Sequence, residues 1–155
     1  MRMKSLSARF PVSRGRMSFR EKLSWITLVS VLLCFGAYYG AIYGGLIEHY
    51  SPAALHLALG SLIALIALQA GLTVLAAVTT PKDGRGPRDE REKMIQARSH
   101  TIGYYTLMIA TTALVIPTHT RGTDMVDIVN FAMLGIVISA IVVAIAQIVM
   151  FRRGY

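Results

Sequence analysis

Charge and cysteine are both scarce in this 155-residue chain: 15% of its residues are charged and Cys34 is its one cysteine. A lone thiol closes no intramolecular disulfide, so cysteine usage says nothing about the compartment. A soluble domain of this length needs far more charge to cover its surface. No Asp, Glu, Lys or Arg lies deep inside any of the four long apolar stretches. That speaks against an ion-coupled transporter, which retains an intramembrane charge despite its cost. There is no C-x-x-C, G-x-S-x-G, phosphate loop or H-E-x-x-H, so no catalytic residue is named and no cofactor is called for.

What is present in quantity is apolar sequence, 54% of the residues with a mean hydropathy of +0.54. It falls into spans at about 25–47, 55–78, 101–116 and 125–151. Twenty-three residues at about 1.5 Å each reach roughly 34 Å, enough to cross a bilayer with some tilt. A signal peptide is a poor reading of the first stretch, because its apolar region is too long and no A-x-A-like site precedes a soluble body. The expected fold is all-α, a polytopic membrane protein of four transmembrane helices. Pro117 is expected to end the third. No repeat of fixed period is visible, and two helical hairpins, one per half, stay open as an arrangement.

The sixteen Lys and Arg residues are distributed unevenly. Residues 1–22 hold seven, the 79–100 loop six and the C-terminal tail two. The 48–54 connection holds none, and the 117–124 turn only Arg121. By the positive-inside rule the N-terminus, the central loop and the C-terminus are cytoplasmic. Basic residues flanking apolar spans, with no interleaved aromatic stripe, also argue against nucleic acid as partner. The bilayer is the partner that composition implies. Residues 1–22 read as a disordered basic arm suited to anionic headgroups. Within it Met17 opens a second plausible start, MSFREKLSW, which makes 1–16 look like an addition.

Gly36, Gly40 and Gly44 stand four apart and would form one ridge on a membrane helix, letting another helix approach closely. The approaching helix can be intramolecular or that of a partner. Asp89 followed by Glu92 predicts a capping box, with the third helix starting near Glu90. Asp89 and Lys93, like Arg88 and Glu92, are spaced to pair. Ile95, Arg98, Ile102, Tyr105 and Ile109 would share a face, Arg98 anchoring at the lipid phosphates. Asp89, Glu90, Arg91, Glu92 and Arg98, with Arg152 and Arg153 at the tail, are thus candidates for docking or anchoring.

His49, His56 and His119 are expected on the outer side and His100 on the inner. A haem between helices needs a buried histidine pair at matching depth, which is absent. Glu48, His49, His56, His119, Asp124 and Asp127 would have to converge to hold a metal, with no tight ligand spacing to favour it. Gln69, Thr111, Thr112, Ser139 and Gln147 are the polar groups within the spans, best read as interhelical hydrogen bonders.

DEREKMIQARSHTIGYY at 89–105 and AQIVMFRRGY at 146–155 resemble the corresponding segments of small four-span bacterial inner-membrane proteins grouped as a domain of unknown function. The resemblance runs from about Met17 to the end and implies topology rather than activity. The expectation is a non-enzymatic accessory, regulatory or structural subunit of the bacterial cytoplasmic membrane, working by helix association with itself or another membrane protein. Alternatives are a homo-oligomeric small-molecule transporter or channel and, behind it, an outer-face haem or metal redox protein.

Overall fold

The structure is a computed structural model that describes residues 18–81, 89–120 and 122–153. Within these the chain is all-α: α1 Phe19–Tyr43, α2 Pro52–Thr79, α3 Glu90–Ala113, α4 Val115–Thr120 and α5 Met125–Arg153. Four spans are long and apolar enough to cross a bilayer, with α3 and α4 forming one continuous span of 31 residues. Helices are the expected solution, because hydrocarbon offers no partner for a backbone N–H or C=O.

Local chemistry sets the ends. Ser18 accepts the Glu21 amide at 3.1 Å, Ser51 precedes Pro52 and accepts the Ala54 amide at 3.3 Å, and Asp89 accepts the Glu92 amide at 2.7 Å. Each side-chain oxygen satisfies an amide that the first turn leaves orphaned. Helix α1 therefore begins inside the expected basic arm, whose residues 19–22 are helical; residues 1–17 lie outside the described residues.

At its other end α1 stops four residues earlier than the span limit at 47. Gly45 takes φ +74°, the Leu46 amide donates to the Ala41 carbonyl at 3.0 Å, and the Gly45 amide donates to that of Ile42 at 3.2 Å. This is a Schellman ending, and the left-handed backbone it needs is what Gly45 supplies. Pro117 does not end the third span. It sits inside α4, and the helix breaks one turn earlier at Leu114. A proline lacks the amide for the carbonyl four residues back, here Ala113, and its ring crowds that carbonyl.

The four spans form two antiparallel hairpins, α1 with α2 and α3 with α5, joined where α1 packs on α5. The result is an open row, α2–α1–α5–α3, with no comparable seam between α2 and α3. Its core is Val31, Phe35, Tyr38 and Ile42 of α1 against Ala54 of α2 and Val137 of α5. Helix α2 buries only Ala54 and Ser61.

Helices α3 and α5 approach closely, over small residues that were not expected to carry the contact. A Cβ added at Gly103 would fall on the Val143 side chain, and one at Gly135 would lie 3.1 Å from the Ala110 Cβ. Ser139 donates to the Gly103 carbonyl at 2.8 Å. Consequently α3 turns Ile95, Ser99 and Gly103 inward. Of the residues expected to share a face, Arg98, Ile102, Tyr105 and Ile109 are exposed and Ile95 is buried.

Two substitutions separate these glycine classes. Gly103→Val is expected to destabilise the fold by about 1–3 kcal/mol through overpacking. Gly36→Ala, where an added Cβ meets nothing, is expected to be neutral or slightly stabilising. Unfolding of the detergent-solubilised monomer, followed by circular dichroism, measures both.

Candidate functional site

The N-terminus of α1, the C-terminus of α2, the N-terminus of α3 and the C-terminus of α5 share one end of the row, the basic end. Arg20 and Ser24 are one turn apart on α1; Glu92, Gln96 and Ser99 follow one another on α3; Gln147 and Arg152 come from α5. Arg20 Nε lies 3.7 Å from Glu92 Oε2, and Arg152 Nε lies 3.1 Å from Glu21 Oε1. Glu21 is only 8% exposed, so its charge needs that partner. The Arg152 guanidinium also sits 5.5 Å from the centre of the Trp25 ring, a cation–π contact. Lys22 Nζ reaches the Thr80 hydroxyl at 3.5 Å, fastening α2 to the same end.

One turn deeper, Gln147 joins three helices. The Ser24 hydroxyl donates to Gln147 Oε1 at 2.7 Å, Gln147 Nε2 donates to Ser99 Oγ at 3.1 Å, and the Ser99 hydroxyl donates to the Gln96 carbonyl at 2.9 Å. The chain is head-to-tail, so each bond polarises the next. Beside it a cavity of about 120 Å³ is bounded by Arg20, Ser24, Glu92, Gln96 and Gln147. Gln147 and Ser139 fill the interhelical role expected of them. Thr111 instead bonds back to its own helix, at Leu107 and Met108.

At the opposite end α1 contributes Tyr38 and Tyr39, the following connection His49 and Tyr50, and α5 Asp127 and Asn130. The Tyr38 hydroxyl donates to Asn130 Oδ1, and that of Tyr39 to the Asn130 carbonyl at 3.0 Å. His49 Nε2 lies 2.9 Å from Asp127 Oδ1, and the Tyr50 hydroxyl donates to Asp127 Oδ2 at 3.0 Å. That bond, followed by desolvation and the charges of Asp127 and Asp124, raises the Tyr50 pKa above its ordinary value. The rings of Tyr38, Tyr39, Tyr43, His49 and Tyr50 follow one another at centroid separations of 4.9 to 6.1 Å. A groove of about 460 Å³ opens beside Tyr38, His49, Tyr50 and Asn130, its far wall made by apolar side chains of α2 and α5.

The residues singled out by sequence fall into separate places. Gly36 and Gly40 are exposed on α1, and a Cβ at either would meet no neighbouring atom within 4 Å, so among the described residues no other helix packs on them. Gly44 is the C-cap of α1, where a Cβ would fall on the Gly40 carbonyl. Asp89 is the N-cap as expected. Lys93 pairs with Glu90 at 2.7 Å rather than with Asp89, and Arg88, the expected partner of Glu92, lies outside the described residues. Arg91 Nη2 donates to the Phe151 carbonyl at 3.3 Å, satisfying a carbonyl of the last turn of α5. Arg98 and Arg153 line a common groove between α3 and α5.

Of the six outer residues proposed to converge, His49 and Asp127 meet. His56 and His119 are exposed, and no three His, Cys, Asp or Glu among the described residues are grouped to hold a metal ion. Ser24, Ser99 and Tyr38 stood outside the expected sites. The four-residue step from Ser99 to Gly103 was a readable sign of a close helix seam. Comparison with family models, curated proteins and solved structures finds no match to this chain.

Gln147→Leu is expected to cost about 1–3 kcal/mol, since two interhelical bonds of roughly 0.6 kcal/mol or more are lost and both serines are left facing an apolar group. Ser24→Ala alone is expected to cost less. Thermal unfolding in one detergent compares them.

Proposed function

We propose that this integral membrane protein acts by helix association, as an accessory or regulatory subunit of the bacterial cytoplasmic membrane. In this reading its basic end faces the cytoplasm, in keeping with the positive-inside rule, and it belongs with the four-span proteins that its 89–105 and 146–155 segments resemble. The observation that carries the reading is the open glycine face of α1. Helix α1 is the most deeply packed of the four spans. Yet it leaves Gly36 and Gly40 bare, beside Leu32 and Leu33 at 50% and 61% exposure. A glycine inside a helix, as Gly36 is, weakens it by roughly 0.5–1 kcal/mol relative to alanine. Close approach of a second helix offsets that cost, and in lipid such approach is what drives association. The open row leaves this face accessible.

Sedimentation equilibrium in neutral detergent, together with mild affinity purification from native membranes, tests the reading. The wild-type chain is expected to self-associate or to retain a membrane partner, and Gly36→Ile with Gly40→Ile to release it without loss of helicity. A wild-type chain that stays monomeric and comes out alone contradicts the reading, as does association indifferent to both substitutions.

One observation favours a second reading, transport of a small molecule by a homo-oligomer. The 460 Å³ groove is lined in part by Tyr38, His49 and Tyr50, and Asp127 bonds the last two, a setting that suits a lipophilic cation. Proteoliposome uptake of ethidium that is saturable and lost in Asp127→Asn supports it; uptake equal to that of empty vesicles removes it.

A further inference from the structure

We propose that the cavity between α1, α3 and α5 at the basic end binds a small α-amino acid in its zwitterionic form. The inference stands apart from the association reading, because this cavity lies among the packed ends of three helices and not on the open glycine face. Its lining holds one charge of each sign, Arg20 and Glu92, with side chains 26% and 23% exposed. They stand 3.7 Å apart, well beyond the roughly 2.7–2.9 Å of a charge-assisted hydrogen bond. The Arg20 guanidinium also lies 5.6 Å from the centre of the Phe19 ring, and neither charged group makes a hydrogen bond among the described residues.

The neutral polar groups of the cavity have capacity to spare as well. The hydroxyls of Thr101, Thr106 and Thr111 bond back to their own helix, whereas that of Thr27 has no partner among the described residues. The Gln96 side-chain amide has none either. Gln147 gives one of its two amide N–H groups to Ser99 and keeps the other. Unmatched polar groups at the edge of hydrocarbon are costly, and these line one hollow, as the polar groups of a binding pocket do.

The lining selects the charge of the ligand. An anion would meet Glu92, a cation would meet Arg20, and a neutral molecule would gain from neither. A molecule carrying both charges on one carbon gives its carboxylate to Arg20 and its ammonium to Glu92, so that the charges alternate in sign around a closed ring. Size selects next. A cavity of roughly 150 Å³ takes up benzene, so this one, at about 120 Å³, suits about five or six non-hydrogen atoms, those of glycine or alanine. Leu23 and Phe151 complete the wall with apolar surface, which favours the methyl group of alanine.

The test titrates the full chain in neutral detergent with L-alanine by calorimetry. Saturable binding of one L-alanine per chain is expected. Propionate, which lacks the ammonium, and alaninamide, which lacks the carboxylate, are expected to bind at least about tenfold more weakly. L-Tryptophan, too large for the cavity, is not expected to compete. Arg20→Gln and Glu92→Gln are each expected to weaken L-alanine at least about tenfold, with circular dichroism confirming that helicity is retained. Thr27→Val keeps both charges and the side-chain shape and is expected to weaken it severalfold. Lys93→Gln removes a charge at the same end outside the cavity and is expected to change nothing. A wild-type chain without saturable binding overturns the proposal and leaves the cavity to water. Propionate or alaninamide binding as tightly as L-alanine overturns it too, as does binding that survives either charge substitution or is indifferent to Thr27→Val. An equal loss in Lys93→Gln would mean diffuse charge effects, and competition by L-tryptophan a site elsewhere; either result also overturns it.

Discussion

Lipid gives polar groups no partner, and this protein is arranged around that restriction. Backbone amides are satisfied within helices, and charged side chains are confined to helix ends. Confinement brings the ends together. Glu21 is buried because Arg152 reaches it, and Arg20 meets Glu92 across a second helix pair. Gln147 is the deepest tie of this end, uncharged and matched on both its amide atoms. Exposed ion pairs contribute little in water, but here they stand at the edge of a medium in which an unmatched charge is costly.

Helix α5 is consequently the hub. It holds α3 through Gly103, Gly135 and Ser139, holds α1 through Gln147 and Asn130, and has Asp127 take up the connection between α1 and α2. Helices α2 and α3 are the edges of the row and bury little. Two kinds of glycine follow from this layout. Gly103 and Gly135 lie where backbones approach within the chain, whereas Gly36 and Gly40 lie where none does. The same sequence signal, a small residue on an apolar helix, therefore marks an internal seam in one case and an open face in the other.

The four spans and the start of α3 were legible because hydropathy and the Asp89-x-x-Glu92 cap are local signals. The start of α1 was equally legible: Ser18-Phe19-Arg20-Glu21 is the same capping pattern, but it was obscured by the surrounding basic residues. Pro117 misled because a proline disturbs the turn before it rather than at it. The inward face of α3 was not legible because large apolar residues face lipid as readily as protein, and in a bilayer it is the small residues, Ser99 and Gly103, that turn inward. The outer cluster was half visible. Asp127 and His49 were singled out, but nothing local joins residues 78 positions apart, and Tyr38 looked like ordinary span sequence.

What unites these elements is that the basic ends of α1, α3 and α5 lie together, with the connection at 44–51 and the turn at 122–124 at the other end. In a chain whose Cys34 is replaced by serine, single cysteines at 89, 153, 48 and 124 can be labelled in sealed membrane vesicles with an impermeant maleimide. Positions 89 and 153 are expected to react from the cytoplasmic face alone, and 48 and 124 only from the other. Labelling of 89 and 48 from the same face would contradict the four-span arrangement and the paired end built on it.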